Sequence, residues 1–303
     1  EELKSIYDTF SDLKIVASGS SALKIYKGTH DLSRRSVTYS IQGLSFREFL
    51  TLRLEKTFSK YALKDLVTRH QQITSEILAL IGKEKILFLF KDYLRYGYYP
   101  YFLELNDENI YATTLEQIFH TIIESDLPAV HPDLTGNSIR KIRHLLTYIA
   151  TAPTPFKPNM TDLKNIIGVG DSRTLKEYLK YLEDANLIRM LMISSSKLKK
   201  VEAPEKIYMD NPNQFYALSA NKTGQNIGSI REVFFLNMLS QNHKITAPAR
   251  GDFLVDHEFL FEVGGKGKGF DQIKTEKNAY LALDELERGI HNKIPLWLFG
   301  FLY

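Results

Sequence analysis

Two carboxylates near the C-terminal end of the sequence have the spacing of a cation-binding pair. Asp252 precedes the apolar run Phe253–Val255, Glu262 lies within the run Phe259–Val263, and both runs have the length of short β-strands. If the turn between them centres on His257, residue 253 pairs with 261 and 254 with 260, so Asp252 stands opposite Glu262. Directly paired side chains are about 5 Å apart at Cβ, which lets two carboxylates share one divalent cation.

A third acid, Glu232, falls in the apolar run 230–239, which predicts a helix. Together the three acids are similar to the acidic set of restriction-type nucleases, which activates water for phosphodiester hydrolysis. In such nucleases a lysine follows the second acid by two residues, but Gly264 stands there and Lys266, in the following loop, is the substitute. Two alternatives follow: an active metal-dependent nuclease, or a degenerate scaffold that keeps the arrangement without the activity.

Basic side chains in the middle of the chain are candidates for DNA contact. They lie in a predicted helix-turn-helix and in the loop that follows it: Arg173, Lys176, Lys180, Lys197, Lys199 and Lys200. From residue 161 to 196 basic and acidic residues are equal in number, so this unit lacks the positive excess that drives nucleic-acid binding. Interdomain packing is the alternative use of these residues.

The elements that position these residues follow from hydrophobic periodicity. Helical spacing opens the chain over residues 3–10, and short strands are predicted at Leu13–Ala17 and Val37–Ile41. The chain is then mostly helical from Leu44 to about Ala150, beginning with a helix that carries Phe46, Phe49, Leu50 and Leu54 on one face. Three prolines between residues 151 and 158 predict a linker.

After the linker, Thr161 is predicted to cap a short helix, residues 168–170 form a turn, and Asp171 or Ser172 caps a second helix. The second helix buries a stripe at positions 175, 178, 179 and 182, and two strands follow at 187–193 and 207–209. This order of elements is typical of a winged helix-turn-helix. Beyond the acidic hairpin, we predict a helix at Thr275–Leu286 and a closing strand at Pro295–Phe299.

Several blocks in this order resemble one prokaryotic family, the AAA+-type ATPases with a C-terminal domain of unknown function. The resemblance covers essentially the whole chain. The matching blocks are residues 15–21 (a sensor-like strand), Leu32-Ser-Arg-Arg35 with Tyr39, Gly43-Leu-Ser-Phe-Arg-Glu-Phe49, Tyr96-Gly-Tyr-Tyr-Pro100, Thr174–Leu179, Lys206-Ile-Tyr-Met-Asp210 and Phe261-Glu-Val-Gly-Gly-Lys266. The resemblance implies an α/β and α fold: a partial AAA+ core (1–44), a helical lid (45–150), a winged helix-turn-helix (151–210) and a restriction-endonuclease-like α/β domain (211–303).

The resemblance also implies roles in nucleotide chemistry. Ser20 and Ser21 match the position of a nucleotide sensor, and the alternative for them is a helix cap. Arg34 and Arg35 are candidates for an arginine that contacts the phosphates of a neighbouring subunit, with Arg35 the better match and a surface arginine pair the alternative. Such a residue requires an oligomer, so a homo-oligomer or protein partner is expected in the intact parent, with ATP and Mg²⁺ as its cofactors.

The phosphate-binding half of such an ATPase has no counterpart in the sequence. A P-loop has the pattern Gly, four residues, Gly-Lys and then Ser or Thr, and no segment fits it; the run Gly264–Gly269 has no Ser or Thr after either lysine. We therefore expect a fragment that does not hydrolyse ATP alone and holds no bound cofactor.

Composition limits the remaining classes. There is no cysteine, which excludes disulfides, thiolate metal sites and a cysteine nucleophile and fits a cytoplasmic protein. The net charge of +3 is small for 303 residues, so DNA is a partner at most locally. No apolar stretch has the length of a membrane span, so no membrane partner is expected.

Overall fold

The computed structural model of the protein describes residues 2–10, 12–18, 37, 39, 41–105, 107–152, 156–193, 203–219 and 227–303. Most of the described chain is helical. The α-helices are α1 (Glu2–Thr9), α2 (Phe46–Leu54), α3 (Leu63–Ile81), α4 (Ile86–Asp92), α5 (Glu108–Thr121), α6 (Leu127–Val130), α7 (Gly136–Thr151), α8 (Met160–Ile167), α9 (Ser172–Asp184), α10 (Pro212–Ser219) and α11 (Ile227–Leu239). The described residues also contain two π-helical turns (Tyr93–Gly97 and Ile122–Asp126) and two 3₁₀-helices (Pro100–Leu103 and Leu296–Phe301).

The strands of the described residues form two small sheets. β1 (Ile188–Leu191) and β2 (Lys206–Met209) make an antiparallel ribbon. The second sheet has the order β3 (Ile245–Thr246), β4 (Phe253–Val255), β5 (Phe259–Gly264), β6 (Ala279–Leu283) and β7 (Lys293–Pro295). β3, β4 and β5 are antiparallel neighbours, whereas β6 and β7 run parallel to β5. β5 is thus the central strand, and its side chains are buried.

The predicted N-terminal strands are not strands in the described residues. Residues 13–17 have no regular structure, and Val16 is 96% exposed. Residues 37, 39 and 41 likewise lie in no strand. A strand needs a neighbour to satisfy its main-chain groups, and no described segment pairs with either stretch.

The predicted helix at 275–286 is wrong, because residues 279–283 form β6. Its apolar run is buried between β5 and β7, and a buried parallel strand has no alternation that distinguishes it from a buried helix. The predicted strand at 295–299 is also wrong beyond its first residue. Pro295 ends β7, and Leu296–Phe301 form a 3₁₀-helix whose Phe299 ring packs 4.8 Å from that of Phe235 on α11.

The middle of the chain has the predicted order of helix, turn, helix and ribbon. Asp171 caps α9, and the stripe Leu175, Tyr178, Leu179 and Leu182 is buried as predicted. The cap of α8 differs: Asn159 accepts from the main-chain N–H groups of residues 161 and 162, so Thr161 is not the cap. The domain borders and the identification of this unit as a winged helix remain predictions.

The amide of Asn213, near the start of α10, joins three helical segments. Its Oδ1 accepts hydrogen bonds from the Tyr98 N–H (2.8 Å) and the Tyr111 hydroxyl (2.7 Å), and its Nδ2 donates to the carbonyls of Tyr93 (3.0 Å) and Leu94 (2.9 Å). The two carbonyls belong to a π-helical turn, where the usual helical pairing is interrupted. Asn213 is 1% exposed, so these bonds have no competition from water.

We predict that Asn213→Asp destabilises the protein strongly. The substitution keeps the shape but removes both N–H donors and introduces a buried negative charge beside two carbonyls, which costs about 3 kcal/mol or more. Urea-induced unfolding of the variant and the wild type measures the loss. Asn165→Asp, at an exposed position of α8, is the matched control and should change the free energy of unfolding by less than about 0.5 kcal/mol. Equal effects of the two substitutions would contradict the prediction.

Candidate functional site

The acidic hairpin forms with the predicted register. Phe253 pairs with Phe261 and Leu254 with Leu260, around a turn in which Asp256 and His257 have left-handed φ values of 52° and 59°. One residue beyond the last pair, the Asp252 N–H donates to the Phe261 carbonyl (2.9 Å). The Asp252 carboxylate accepts from the Val263 N–H (2.9 Å), which fixes this acid beside the strand that carries Glu262.

Glu262 lies on the central strand β5 and is 1% exposed. Its counterion is Lys268, whose Nζ lies 2.7 Å from Oε1. Apart from this ion pair, neither carboxylate oxygen of Glu262 has a hydrogen-bond partner among the described residues. A buried carboxylate is costly unless it is paired, so the Lys268 ammonium is the group that offsets its charge.

Asp252 forms an ion pair with a second lysine, Lys206. The ammonium of Lys206, on β2, lies 3.4 Å from Asp252 Oδ1 and 3.3 Å from the Asp252 carbonyl. The same ammonium lies 5.5 Å from the centre of the Phe253 ring. Lys206 is almost wholly buried, so the ribbon contributes a charged side chain to the C-terminal sheet.

Glu232, on α11, completes the cluster. The Tyr208 hydroxyl, also from β2, donates to its Oε2 over 2.6 Å. Burial and the neighbouring Asp252 carboxylate raise the pKa of Glu232 to about 7, against the opposing effects of Lys206, Tyr208 and Lys268. The pKa of Tyr208 is raised as well, by burial and by the Glu232 carboxylate.

The structure therefore brings together the three predicted acids, Glu232, Asp252 and Glu262. The lysines that pair with them are not the predicted Lys266 but Lys206 and Lys268. Lys266 is exposed, and Lys268 is the residue at Glu262. Lys206 and Tyr208 were missed because they come from the preceding ribbon. Their only sequence signal is the i, i+2 spacing, which places both on one face of β2.

A polar cavity of about 510 Å³ opens next to the cluster. Its walls are the ends of β2 and β4 and the turns around them: Lys157, Glu205, Lys206, residues 248–252, Asp271 and Gln272. Because Asp252 and Lys206 both line it, a ligand in the cavity can reach the edge of the cluster.

A divalent cation in this cluster would need several oxygen ligands around it. Within the described part of the chain, no group of three or more His, Asp or Glu side chains has a metal-binding arrangement. Mg²⁺ is often held by one or two carboxylates and completes its shell with water and substrate phosphates. Asp252 lines the cavity, and Oε2 of Glu262 is a buried carboxylate oxygen without a partner among the described residues, so these two carboxylates are the ones that would hold a cation of that kind.

The other predicted site residues divide into two groups. Ser20, Ser21, Arg34, Arg35, Lys197, Lys199 and Lys200 lie outside the described residues. Arg173, Lys176 and Lys180 lie on α9. There the hydrogen bond to Asp184 raises the pKa of Lys180, which also pairs with Glu183, so this ammonium has two acidic partners in its own helix.

Comparison with known proteins gives two family matches. Residues 1–50 match a family described as "AAA domain", and residues 87–223 match one described as "Domain of unknown function (DUF8612)". The N-terminal region is thus similar to part of an AAA-type ATPase.

An uncharacterized protein of Methanocaldococcus jannaschii is 24% identical over 274 residues, which cover 88% of this chain and 56% of that protein. The chain therefore spans about half the length of this relative. No solved structure matches. Among the described residues, none of the helices combines the length and the apolar character needed to cross a membrane.

We predict that Glu232→Gln changes how stability depends on pH. The pKa of the Glu232 carboxyl group rises from the ordinary 4.5 to about 7 on folding. Its protonated form therefore stabilises the fold fully below pH 4.5, and this stabilisation is lost as the pH rises through 7. Between pH 5 and pH 8 the wild type should lose on the order of 2 to 3 kcal/mol relative to the variant, which cannot ionise.

Urea denaturation at a series of pH values measures this difference. Glu258→Gln, at an exposed position of the hairpin turn, is the control and should follow the wild-type profile. Parallel profiles for the wild type and Glu232→Gln would contradict the prediction.

Proposed function

We propose that the chain is the C-terminal part of an AAA-type ATPase and that the residues after the first fifty form the module that responds to its nucleotide state. The observation that carries the proposal is the similarity of residues 1–50 to an AAA domain, because this match ends inside helix α2. α2 is part of the folded core that follows, so the two regions share one helix.

Helix α2 is tied to the last residues of the chain. Ser45 and Glu48 form a capping box at its start. The Ser45 hydroxyl (3.0 Å) and the Arg47 Nε (2.7 Å) both donate to the main-chain oxygen of Tyr303. Phe46 and Phe49 are fully buried, and the Phe46 ring lies 5.4 Å from that of Tyr93. These contacts support a role for α2 as the connection between the AAA-like region and the rest.

The AAA-like region itself carries an apolar surface. Leu3, Ile6, Tyr7 and Phe10 follow helical spacing in and just after α1, and all are at least 37% exposed. Contiguous apolar side chains of this kind typically mark a face that another element covers. We propose the remainder of the AAA domain as that element, and ATP and Mg²⁺ as the ligands it binds, near Ser20, Ser21 and Arg35.

The test of this function uses the whole protein, with the rest of the AAA domain present. Arg35→Ala should lower ATP turnover at least a hundredfold, since an arginine that contacts the transferred phosphate contributes about 10³ to 10⁵ in rate. Arg34→Ala is the matched control and should retain most of the activity. Turnover of ATP by the present chain alone, or equal effects of the two substitutions, would count against the proposal.

A second candidate function is metal-dependent hydrolysis of phosphodiesters at the acid cluster. The observation that favours it is the hairpin register, which sets Asp252 beside the strand of Glu262. Asp252 and Glu262 would hold the cation, which when bound polarises the phosphodiester and lowers the pKa of a bound water. Lys206 and Lys268 would limit the repulsion between these carboxylates and an incoming phosphate.

For this second function we predict that the chain cleaves DNA or RNA in the presence of Mg²⁺ or Mn²⁺. Asp252→Asn and Glu262→Gln should each reduce cleavage at least a hundredfold, because each removes a charged ligand. Gel assays on single- and double-stranded substrates measure it, with Glu258→Gln as the exposed control. Absence of cleavage with either cation rejects this candidate and leaves the first proposal intact.

DNA contact through the helix-turn-helix has less support from the described residues. Lys180 is paired with acids of its own helix, and affinity for DNA depends on cations that are free to neutralise phosphates. For the second function we therefore propose the cavity beside Asp252 and Lys206 as the contact with a nucleic-acid substrate.

A further inference from the structure

The position two residues after Glu262 has a defined place in the sheet. Residues two apart in a strand lie on the same face, so a side chain at position 264 would stand next to the Glu262 carboxylate. The residue there is Gly264, which has no side chain. The sequence thus leaves a space beside a buried acid, at the position where the spacing of a nuclease site places a lysine.

The side chain of Lys268 fills this space. A Cβ built on Gly264 would lie 2.9 Å from both Cβ and Cγ of Lys268 and 3.2 Å from its Cδ. These distances are shorter than carbon atoms pack, so the aliphatic stem of Lys268 occupies the volume in which a side chain at 264 would start. The stem leads the ammonium to Glu262, with Nζ 2.7 Å from Oε1.

The loop that returns Lys268 to the strand is held at several points. The Lys268 N–H donates to the Gly265 carbonyl (3.0 Å), and the Asp284 N–H donates to the Gly264 carbonyl (2.8 Å). Arg231 pairs with Asp284 over 2.8 Å, and its guanidinium lies against Gly265, where an added Cβ would be 2.8 Å from Nη1. The return of the chain is therefore fixed by main-chain bonds and by a side chain of α11.

The two carboxylate oxygens of Glu262 therefore have different surroundings. Oε1 faces the Lys268 ammonium, and Oε2 is buried without a hydrogen-bond partner among the described residues. The lysine thus contacts one oxygen of the carboxylate, and the other oxygen is the one left to a cation.

We propose that Lys268 is the lysine of the candidate phosphodiesterase site. It takes the place of a lysine at position 264, from four residues further along the chain. The proposal rests on the second function proposed above. In that reaction the oxygen of a water molecule forms the new bond to phosphorus, the bridging P–O bond breaks, the water releases one proton to solvent, and the leaving oxygen takes one from solvent. Lys268 holds its positive charge at Glu262 Oε1, where it orients the water and offsets the charge of the phosphate.

The first test measures turnover and cation binding in the same variant. Lys268→Ala should lower the cleavage rate about a hundredfold, the lower end of what a positioned catalytic group contributes. It should also raise the affinity for Mn²⁺, measured by electron paramagnetic resonance, about two- to tenfold, because Glu262 loses its competing positive charge. A variant that had merely lost its structure would lose both properties. Lys266→Ala, two residues away and exposed, should change neither.

The second test moves the lysine back onto the strand. Gly264→Lys alone should lower the melting temperature, because its side chain collides with the stem of Lys268. The double variant Gly264→Lys with Lys268→Ala removes the collision, so it should recover most of that loss and restore cleavage to within about tenfold of the wild type. Gly264→Lys with Lys266→Ala should recover neither.

The outcomes separate the two proposals. If the wild type cleaves and Lys268→Ala cleaves equally well, the role of Lys268 is overturned while the function stands. If the wild type does not cleave, the function fails and Lys268 is only a counterion of Glu262. If the effects of the Gly264 and Lys268 substitutions on the melting temperature are additive, a side chain at position 264 and the stem of Lys268 do not occupy the same volume, and the proposal is overturned.

Discussion

The fold depends on the four hydrogen bonds of one buried amide. Asn213 satisfies both of its acceptor positions and both of its N–H donors, and the partners belong to the turn after α4, to α5 and to the segment that leads into Pro100. No other neutral side chain offers two donors and two acceptors in a fixed plane except glutamine, whose longer stem would not fit the same distances. Because α10 follows β2 after two residues, this amide also fixes where the ribbon can lie.

The position of the ribbon in turn determines the chemistry of the acid cluster. Three carboxylates in the interior would repel one another and lose their hydration, at a cost of several kcal/mol for each uncompensated charge. Lys206 and Tyr208 reach them from β2, and Lys268 reaches them from the loop after β5. The predicted border between residues 210 and 211 therefore separates two segments that share one electrostatic cluster.

The parts of the structure that the sequence predicts are those determined by local rules. The hairpin of Asp252 and Glu262 was predicted with the right register, because alternation and a single turn determine which residues oppose each other. β6 was mistaken for a helix because its neighbours, and not its own pattern, make it a strand. Lys268 was missed for a related reason: a glycine-rich loop has no periodicity, and its return to Gly264 depends on Arg231 and Asp284, which are distant in the sequence.

The connection between the AAA-like region and the acid cluster follows from close packing. A Cβ on Gly300 would lie 2.4 Å from the Cβ of Phe46, so the 3₁₀-helix and α2 are in contact with no intervening space. The same 3₁₀-helix packs Phe299 against Phe235 on α11, one turn from Glu232. Close-packed interiors transmit displacements and do not absorb them. α2, the 3₁₀-helix and α11 are therefore parts of one packed interior, and α11 carries Glu232 within it.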